Sequence, residues 1–333
     1  MDTEEDATVA DRLDPAPAPT FRFTVFTPTL NRAHVLHRVY DSLRAQTFTD
    51  FEWLIVDNGS TDGTADLIAR WQAEAGFPIR YIVQENRGVH VSWNRASAEA
   101  RGELLLFIRS ADAVVATAME RFDAIWRSIP DDQRTGYSGV TVNCVDKEGH
   151  LIGTEFPEPV LDSNSSEIRF RYKVKGEKWG FQRVDIMRDH PLPVIEGYRG
   201  YMPEAIVWRA IGRKFKTRFV NERLRIYWQD QSSSISGSRI QDRALGGLLE
   251  SEALLNNDMR WFRYDPVEFL RKGAKYSRCA FHVGRSIPDQ VRSLGSVSAR
   301  ALWAVTVPVG LVIYLVDLRR GGRAAVRLTD SAG

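Results

Sequence analysis

FEWLIVDNGSTDGT, residues 51–64, is an apolar run that ends on an acid and passes directly into a turn of Asn, Gly, Ser and Asp. Phe51 to Val56 reads as a buried strand, the turn as a polar loop, and Thr64 to Glu74 as the helix that follows it. The same order extends in both directions. Upstream, Phe23 to Phe26 is a short apolar strand, and Arg32 to Gln46 carries Val35, Leu36, Val39 and Leu43 at helical spacing. Downstream, Ile79 to Gln84 and Glu103 to Ile108 read as strands, with a helix from Val91 to Ala100 between them. Strand and helix alternating in units of roughly thirty residues predict a parallel sheet with right-handed crossovers.

Ligands of such sheets bind at the carboxyl ends of the strands. That rule places four polar loops on one rim: TPTLNR (27–32), DNGSTDGT (57–64), ENRGVH (85–90) and RSAD (109–112). The first loop has no GxGxxG and no GxxxxGK[ST] occurs, which argues against a dinucleotide-binding Rossmann domain and a P-loop. Beyond the rim, Met119 to Ile129 and Tyr201 to Gly212 read as helices. Tyr137 to Val145 with Leu151 to Phe156 reads as a hairpin-like pair, and Thr217 to Val220 and Leu224 to Trp228 as short strands. Residues 229–238, QDQSSSISGS, read as a loop or lid.

Composition narrows the class. With 333 residues, 43% of them hydrophobic, the chain exceeds one average domain and can build a sizeable core. Its formal charge of +2 is unevenly spread: from Met259 onward there are thirteen Lys/Arg against five Asp/Glu. The C-terminal stretch is therefore a basic zone. Cys144 and Cys279 stand far apart, so neither a disulfide framework nor a zinc site is expected, and a reducing compartment fits. Residues 1–20 are acidic and Ala/Pro-rich, and lack the basic and apolar regions of a signal peptide; they read as a disordered tail. No internal repeat and no nucleic-acid motif is present, so nucleic acid is not an expected partner.

Taken in order, TPTLNR, QTFTDFEWLIVDNGSTDGT, NRGVHVSWNRA and ARGELLLF with its polar turn resemble the family 2 inverting glycosyltransferases of the GT-A fold. The resemblance runs from residue 21 to residue 230 and points to a bacterial branch. It implies an α/β, mostly parallel sheet with helices on both faces, followed by a helical C-terminal extension. The domain scheme is then 1–20 tail, 21–258 GT-A domain and 259–333 membrane-associated helices.

The resemblance also assigns residues. Thr27, Pro28, Asn31, Arg32, Asp57 and Asn58 would hold the base and ribose of a nucleotide-sugar, with UDP favoured. Asn86, Gly88, His90 and Asn94 would lie beside the nucleotide; His90 reads equally as a packed histidine. Asp62 reads as a turn and helix cap. Where relatives carry an acidic turn that binds Mn²⁺ or Mg²⁺, this chain has Arg109, Ser110, Ala111 and Asp112. Asp112 alone is a weak metal ligand unless the diphosphate supplies the rest. Two readings follow: Arg109 clamps the diphosphate in place of the ion, or donor activation is lost and the domain is a nucleotide-sugar or glycan-binding scaffold.

On the acceptor side, GEKWGFQRVDIMRDHPLP (176–193) and YMPEAIVW (201–208) resemble segments of the same branch. They imply Glu204 as general base, which removes the acceptor hydroxyl's proton as that oxygen attacks the anomeric carbon. Glu177, Lys178, Trp179 and Trp208 would contact the acceptor, a glycan or a lipid-linked sugar, in polysaccharide synthesis. No Q-x-x-R-W occurs, which favours single-sugar transfer.

Asp265 to Arg300 reads as basic helices suited to an anionic membrane face. Ala301 to Val316 is free of charge for sixteen residues, short of the ~20 that span a bilayer, and Pro308 and Gly310 interrupt it. A membrane-dipping or interfacial segment is the expectation, a docked C-terminal helix the alternative, and the cytoplasmic face of the inner membrane the location.

Overall fold

The computed structural model describes residues 18–228 and 240–321. The segment read as a lid, residues 229–238, and residues 1–17 of the N-terminal tail lie outside the described residues.

The first half follows the predicted alternation. In chain order it comprises β1 (Phe21–Thr29), α1 (Ala33–Arg44), β2 (Phe51–Asp57), α2 (Thr64–Glu74), β3 (Ile79–Val83), α3 (Val89–Glu99) and β4 (Gly102–Phe107). Strands β3, β2, β1 and β4 lie side by side in that order, and all their pairings are parallel. The register sets Phe23 beside Phe51 and Leu104, and Thr29 beside Asp57. Successive side chains of a strand point to opposite faces, and here they divide the core in two. Phe23, Val25, Trp53 and Ile55 face a layer with Leu36, Val39 and Trp71, whereas Phe26, Leu54 and Val56 face the layer containing Trp93. Burial of each such side chain contributes about 1.5–3 kcal/mol. That contribution is why the apolar strands sit between two helical layers.

The second half is less regular: β5 (Ala113–Val114), α4 (Ala118–Arg127), α5 (Asp131–Arg134), β6 (Tyr137–Val145), β7 (Val160–Ser163), α6 (Ser165–Phe170), β8 (Lys178–Arg183), α7 (Val184–Asp189), α8 (Ala205–Gly212) and β9 (Lys216–Ile226). These strands extend the sheet as β4-β8-β6-β9-β5, with β7 also on β9. Strand β8 is antiparallel to both β4 and β6, so the sheet is mixed beyond β4. Three expectations change here. Leu151 forms only an isolated bridge to Val145, not the second strand of a hairpin. The two short strands of 217–228 are one strand, β9, whose register with β6 shifts at Asn143 and Cys144. Segment 178–183, read only as acceptor-side residues, is a strand in mid-sheet.

Beyond the sheet come α9 (Ile240–Asn257), a 3₁₀ turn (Met259–Trp261), α10 (Pro266–His282), α11 (Ile287–Arg292) and α12 (Val297–Arg319). Asp265, Ser286 and Ser296 cap the last three through their side chains. Contrary to expectation, Pro308 and Gly310 do not interrupt α12, which runs 23 residues. Pro308 lies on its exposed side, and Gly310 is buried against α10. A Cβ on Gly310 would stand 2.6 Å from the Ala274 carbonyl oxygen, so glycine permits the close approach of the two helices.

Candidate active site

The rim at the carboxyl ends of β1 and β2 is held together by side chains. Asn31, at φ 53°, accepts at 2.8 Å from the Thr61 N–H, and its own N–H donates to Ser60 Oγ at 2.8 Å. Asp62 accepts from the Ala33 N–H at 3.0 Å, so it caps the first turn of α1 from the neighbouring loop. Asp57 is fully buried: Oδ1 accepts from the Ser60 N–H and hydroxyl, and Oδ2 from the Tyr81 hydroxyl at 2.5 Å. Burial and this carboxylate push the Tyr81 phenol well above its ordinary value. The structure thus makes Asp57 the organiser of the Ser60 turn and does not present its carboxylate to solvent, as a direct nucleotide contact would require.

Other residues of this group take comparable positions. Thr27 is buried and accepts from Trp53 Nε1 at 3.0 Å. Pro28 lies beside Val56 in the β1–β2 register, and Arg32, half-buried, flanks the N-terminus of α1. Asn58 Oδ1 accepts from Ser92 Oγ at 2.9 Å and Gln84 Nε2 at 3.1 Å. Asn94 exchanges two hydrogen bonds with the backbone of Leu192, which fixes the 190s loop to α3. Both amides are engaged in internal structure.

At the N-terminus of α3, Asn86 accepts from the Gly88 N–H at 3.1 Å, and Gly88 adopts φ 95°. A Cβ at Gly88 would stand 2.7 Å from the His90 ring, so only glycine fits both the backbone and the neighbour. His90 is 1% exposed with neither ring nitrogen hydrogen-bonded, and its ring centroid lies 6.0 Å from that of Tyr198. Burial, then Arg87, lower its pKa, so the neutral ring is favoured. This is a packed histidine and not a cationic phosphate ligand.

The turn after β4 holds the main departure from expectation. β5 pairs antiparallel with the end of β9, with Val114 opposite Arg225 and Ala113 opposite Ile226. That register brings the Arg225 side chain within reach of Asp112, the residue before β5. Asp112 is fully buried and Arg225 is 1% exposed. Arg225 donates to Asp112 Oδ2 through Nε at 3.0 Å and through a second guanidinium nitrogen, while Asp112 Oδ1 accepts from the Trp228 N–H at 3.2 Å. The third guanidinium nitrogen donates to Glu177 at 3.2 Å. Arg109 Nε stands 3.6 Å from Asp112, and its guanidinium lies 4.4 Å from the centre of the Tyr227 ring, held by a cation–π contact. The assignment of Asp112 as a metal ligand meets a carboxylate whose two oxygens are already taken. With Arg109 and Ala111 in the other acidic positions, this turn does not fit a divalent ion.

Glu204 sits at the start of α8, next to Tyr201, whose hydroxyl donates to it at 3.3 Å. Burial raises the Glu204 pKa, Glu177 adds to the rise, and the Tyr201 hydrogen bond and Arg109 oppose it. Glu204, Glu177 and Arg109 therefore share one electrostatic neighbourhood. Lys178 donates to the Thr154 carbonyl at 2.7 Å and burial lowers its pKa. Trp208 is partly exposed, edge-on to Trp93 at 5.7 Å. Trp179 is a correction: it is 3% exposed, packs on Phe122 and donates to the Phe107 carbonyl, so its ring serves the core and not an acceptor.

The sequence reading passed over Arg225, Tyr201 and Tyr227. An arginine inside RLRIYW resembles any solvated strand residue, and only the β5–β9 pairing shows that it is buried. A separate cluster, Asp146, Glu148 and His150, has one ligand atom from each within 4.8 Å of the others. There Asp146 Oδ1 accepts from the Glu148 and His150 N–H groups, which is turn chemistry.

Residues 24–184 match the family described as Glycosyl transferase family 2. A GalNAc(5)-diNAcBac-PP-undecaprenol beta-1,3-glucosyltransferase of Campylobacter jejuni is 24% identical over 272 residues, spanning 78% of this chain and 84% of that protein. A PGL/p-HBAD biosynthesis glycosyltransferase of Mycobacterium bovis is 37% identical over 92 residues, which is 28% of this chain and 36% of the relative. The crystal structure of S. aureus TarS 1-349 in complex with UDP-GlcNAc is similar with a TM-score of 0.61 at 16% identity, covering 93% of this chain and 95% of that one. This last likeness is one of fold.

Proposed function

This chain belongs to glycosyl transferase family 2 with the GT-A fold and is a glycosyltransferase, and we propose that it transfers a single sugar, with inversion, from a UDP-linked donor to a lipid-linked or glycan acceptor in cell-surface polysaccharide synthesis. One observation carries the reading: Glu204, a carboxyl group with a raised pKa at a helix start, shares its surroundings with Arg109 at the end of β4. In this reading Glu204 serves as the base and Arg109 as the cation of one reaction site.

In the proposed reaction the acceptor hydroxyl gives its proton to Glu204 as its oxygen bonds to the anomeric carbon. The bond from that carbon to the diphosphate oxygen breaks, and its electron pair leaves with the UDP. Arg109, oriented by Tyr227 and Asp112, meets the charge that builds on the diphosphate. The Asp57 turn with Asn31, and the Gly88 loop with Asn86, shape the nucleotide side. Glu177, Lys178 and Trp208 border the acceptor side.

The acceptor class draws support from α12. Val305 is 69% and Val312 60% exposed, in a helix long and apolar enough to cross a membrane. An exposed apolar face of this size suits lipid. The undecaprenol-linked substrate named for the Campylobacter relative agrees with that. We read α12 as lying in the membrane plane, not across it, on the cytoplasmic face. Its middle and far end are fastened to α10: Thr306 and Gly310 lie against that helix, and Asp317 pairs with Arg278 at 2.6 Å and His282 at 2.9 Å. A span would draw the charges of α10 into hydrocarbon.

The test is transfer of labelled sugar from UDP-GlcNAc and other UDP-sugars to a bacterial lipid extract by wild type and Glu204→Gln. Transfer by wild type alone supports the reading. UDP binding without any transfer would instead support a binding scaffold.

A further inference from the structure

Asp112 and Glu177 both turn a carboxylate oxygen toward the guanidinium of Arg225. These acids come from different parts of the chain, Asp112 from the turn after β4 and Glu177 from the residue before β8. They meet here because β5 joins β9 in antiparallel register and β8 and β9 flank β6. Two carboxylates facing one centre beside a diphosphate-binding rim are donors of the kind that hold a hard divalent cation. In this chain the centre is filled by protein.

The geometry points to Arg225 as a resident cation: its guanidinium occupies the position between Asp112 and Glu177, neutralises both, and excludes a divalent ion from the site. Arg225 is then a positioning residue. It acts through Asp112, which it holds 3.6 Å from Arg109. The inference rests on the proposed transferase reading for its consequence, the handling of the diphosphate. Its core, cation exclusion, stands on the geometry of Arg225 alone.

Three features support a built site over a chance ion pair. Arg225 is 1% exposed and its pairing with the fully buried Asp112 is shielded from solvent, whereas Glu177 meets it from the exposed side; a guanidinium buried so deeply requires counter-charge. All three of its nitrogens are used, Nε and one terminal nitrogen on Asp112 and the other terminal nitrogen on Glu177. The second oxygen of Asp112 accepts from the Trp228 N–H, so both oxygens of that carboxylate are engaged by the protein. A fixed guanidinium is always charged and cannot be chelated away.

The experiment is a Mn²⁺ titration followed by electron paramagnetic resonance of the free ion, on wild type, Arg225→Met and the double variant Arg225→Met/Asp112→Asn, each without nucleotide. Arg225→Met frees two carboxylates around a vacated centre, so it is expected to gain a Mn²⁺ site at least about tenfold tighter than any in wild type. The double variant is expected to lose it again. Any weak binding at the exposed Asp146 cluster is common to all three proteins and cancels.

No gain in Arg225→Met, or a gain that survives Asp112→Asn, overturns the inference. Should Arg225→Met fail to fold by circular dichroism, the same titration on wild type with UDP present decides. No site enhanced by UDP supports exclusion, and a UDP-enhanced Mn²⁺ site refutes it. UDP binding in EDTA is measured separately by calorimetry. Its absence would remove the donor reading, while the resonance comparison still judges Arg225.

Discussion

Glu250→Gln tests how the C-terminal helices support the catalytic helix. Glu250 is 2% exposed on α9 and faces three cations: Arg209 of α8 at 3.0 Å, Lys272 at 2.9 Å and Lys275 at 3.0 Å, both of α10. Burial alone would raise its pKa, but Lys272, Lys275 and Arg209 outweigh it and hold the carboxyl down at about 2, from an ordinary 4.5. A shift of that size corresponds to about 3 kcal/mol of folding stability, at 1.36 kcal/mol per unit. The sign follows from the direction. A carboxyl depressed in the folded state stabilises fully above its unfolded value, and the contribution is lost as pH falls through 4.5 toward 2.

Because glutamine copies a protonated glutamate, the variant should lose that contribution at neutral pH while preserving shape. The assay is urea unfolding of both proteins at pH 7 and at pH 3. At pH 7, Glu250→Gln should be less stable by about 3 kcal/mol, in line with removal of one partner from a buried pair. At pH 3 the difference should shrink. Turnover should fall as well, since Arg209 lies on the helix that begins at Glu204. A gap at pH 7 below ~0.5 kcal/mol, or one that is the same at both pH values, would refute the reasoning, because neither is compatible with a buried carboxylate held ionised by those cations.

Other expectations can be checked alongside. The acid limb of kcat/KM should lie above the ordinary carboxylate range, since burial raises Glu204; Arg109→Gln should move it to higher pH and Glu177→Gln to lower pH, as read from pH–rate profiles. Val305→Glu/Val312→Glu should weaken binding to anionic vesicles, read by sedimentation, by at least about a hundredfold, at 1.5–3 kcal/mol for each apolar side chain lost from lipid, without shifting the melting temperature. Gly88→Val should weaken UDP binding, because a Cβ there meets His90 in a backbone conformation that side chains avoid. Calorimetry reads that change directly.

Much of the sheet was legible because β1 to β4 obey simple rules. Runs of four to six residues rich in apolar side chains alternate with helical spacing, and the polar loops that follow them lie on the same rim. The second half was less legible for a physical reason. β5 is two residues long and β7 is four, too short to show an alternation, and β8 alternates only through Trp179 and Phe181, with Lys, Gly and Gln between and beside them. Their partners are distant in sequence, and pairing, not propensity, makes them strands.

At the site, Glu204 and Arg109 stood out by position in motifs. Arg225 did not, because its burial depends on a pairing between residues 113 and 226. Trp179 illustrates the opposite error: a motif tryptophan near an expected site proved to be core, as its contacts with Phe122 and Phe107 require. In α12 the proline suggested an interruption, yet the helix is continuous because packing on α10 holds it on the other face.

The most direct test of the central claim is a single-turnover transfer assay in EDTA, with one labelled UDP-sugar and a lipid-linked acceptor, comparing wild type with Glu204→Gln. The account predicts transfer by wild type without added metal, a product of inverted anomeric configuration, and loss of the chemical step in Glu204→Gln with UDP affinity retained. Equal transfer by both proteins, or transfer by wild type only after Mn²⁺ is restored, would contradict it.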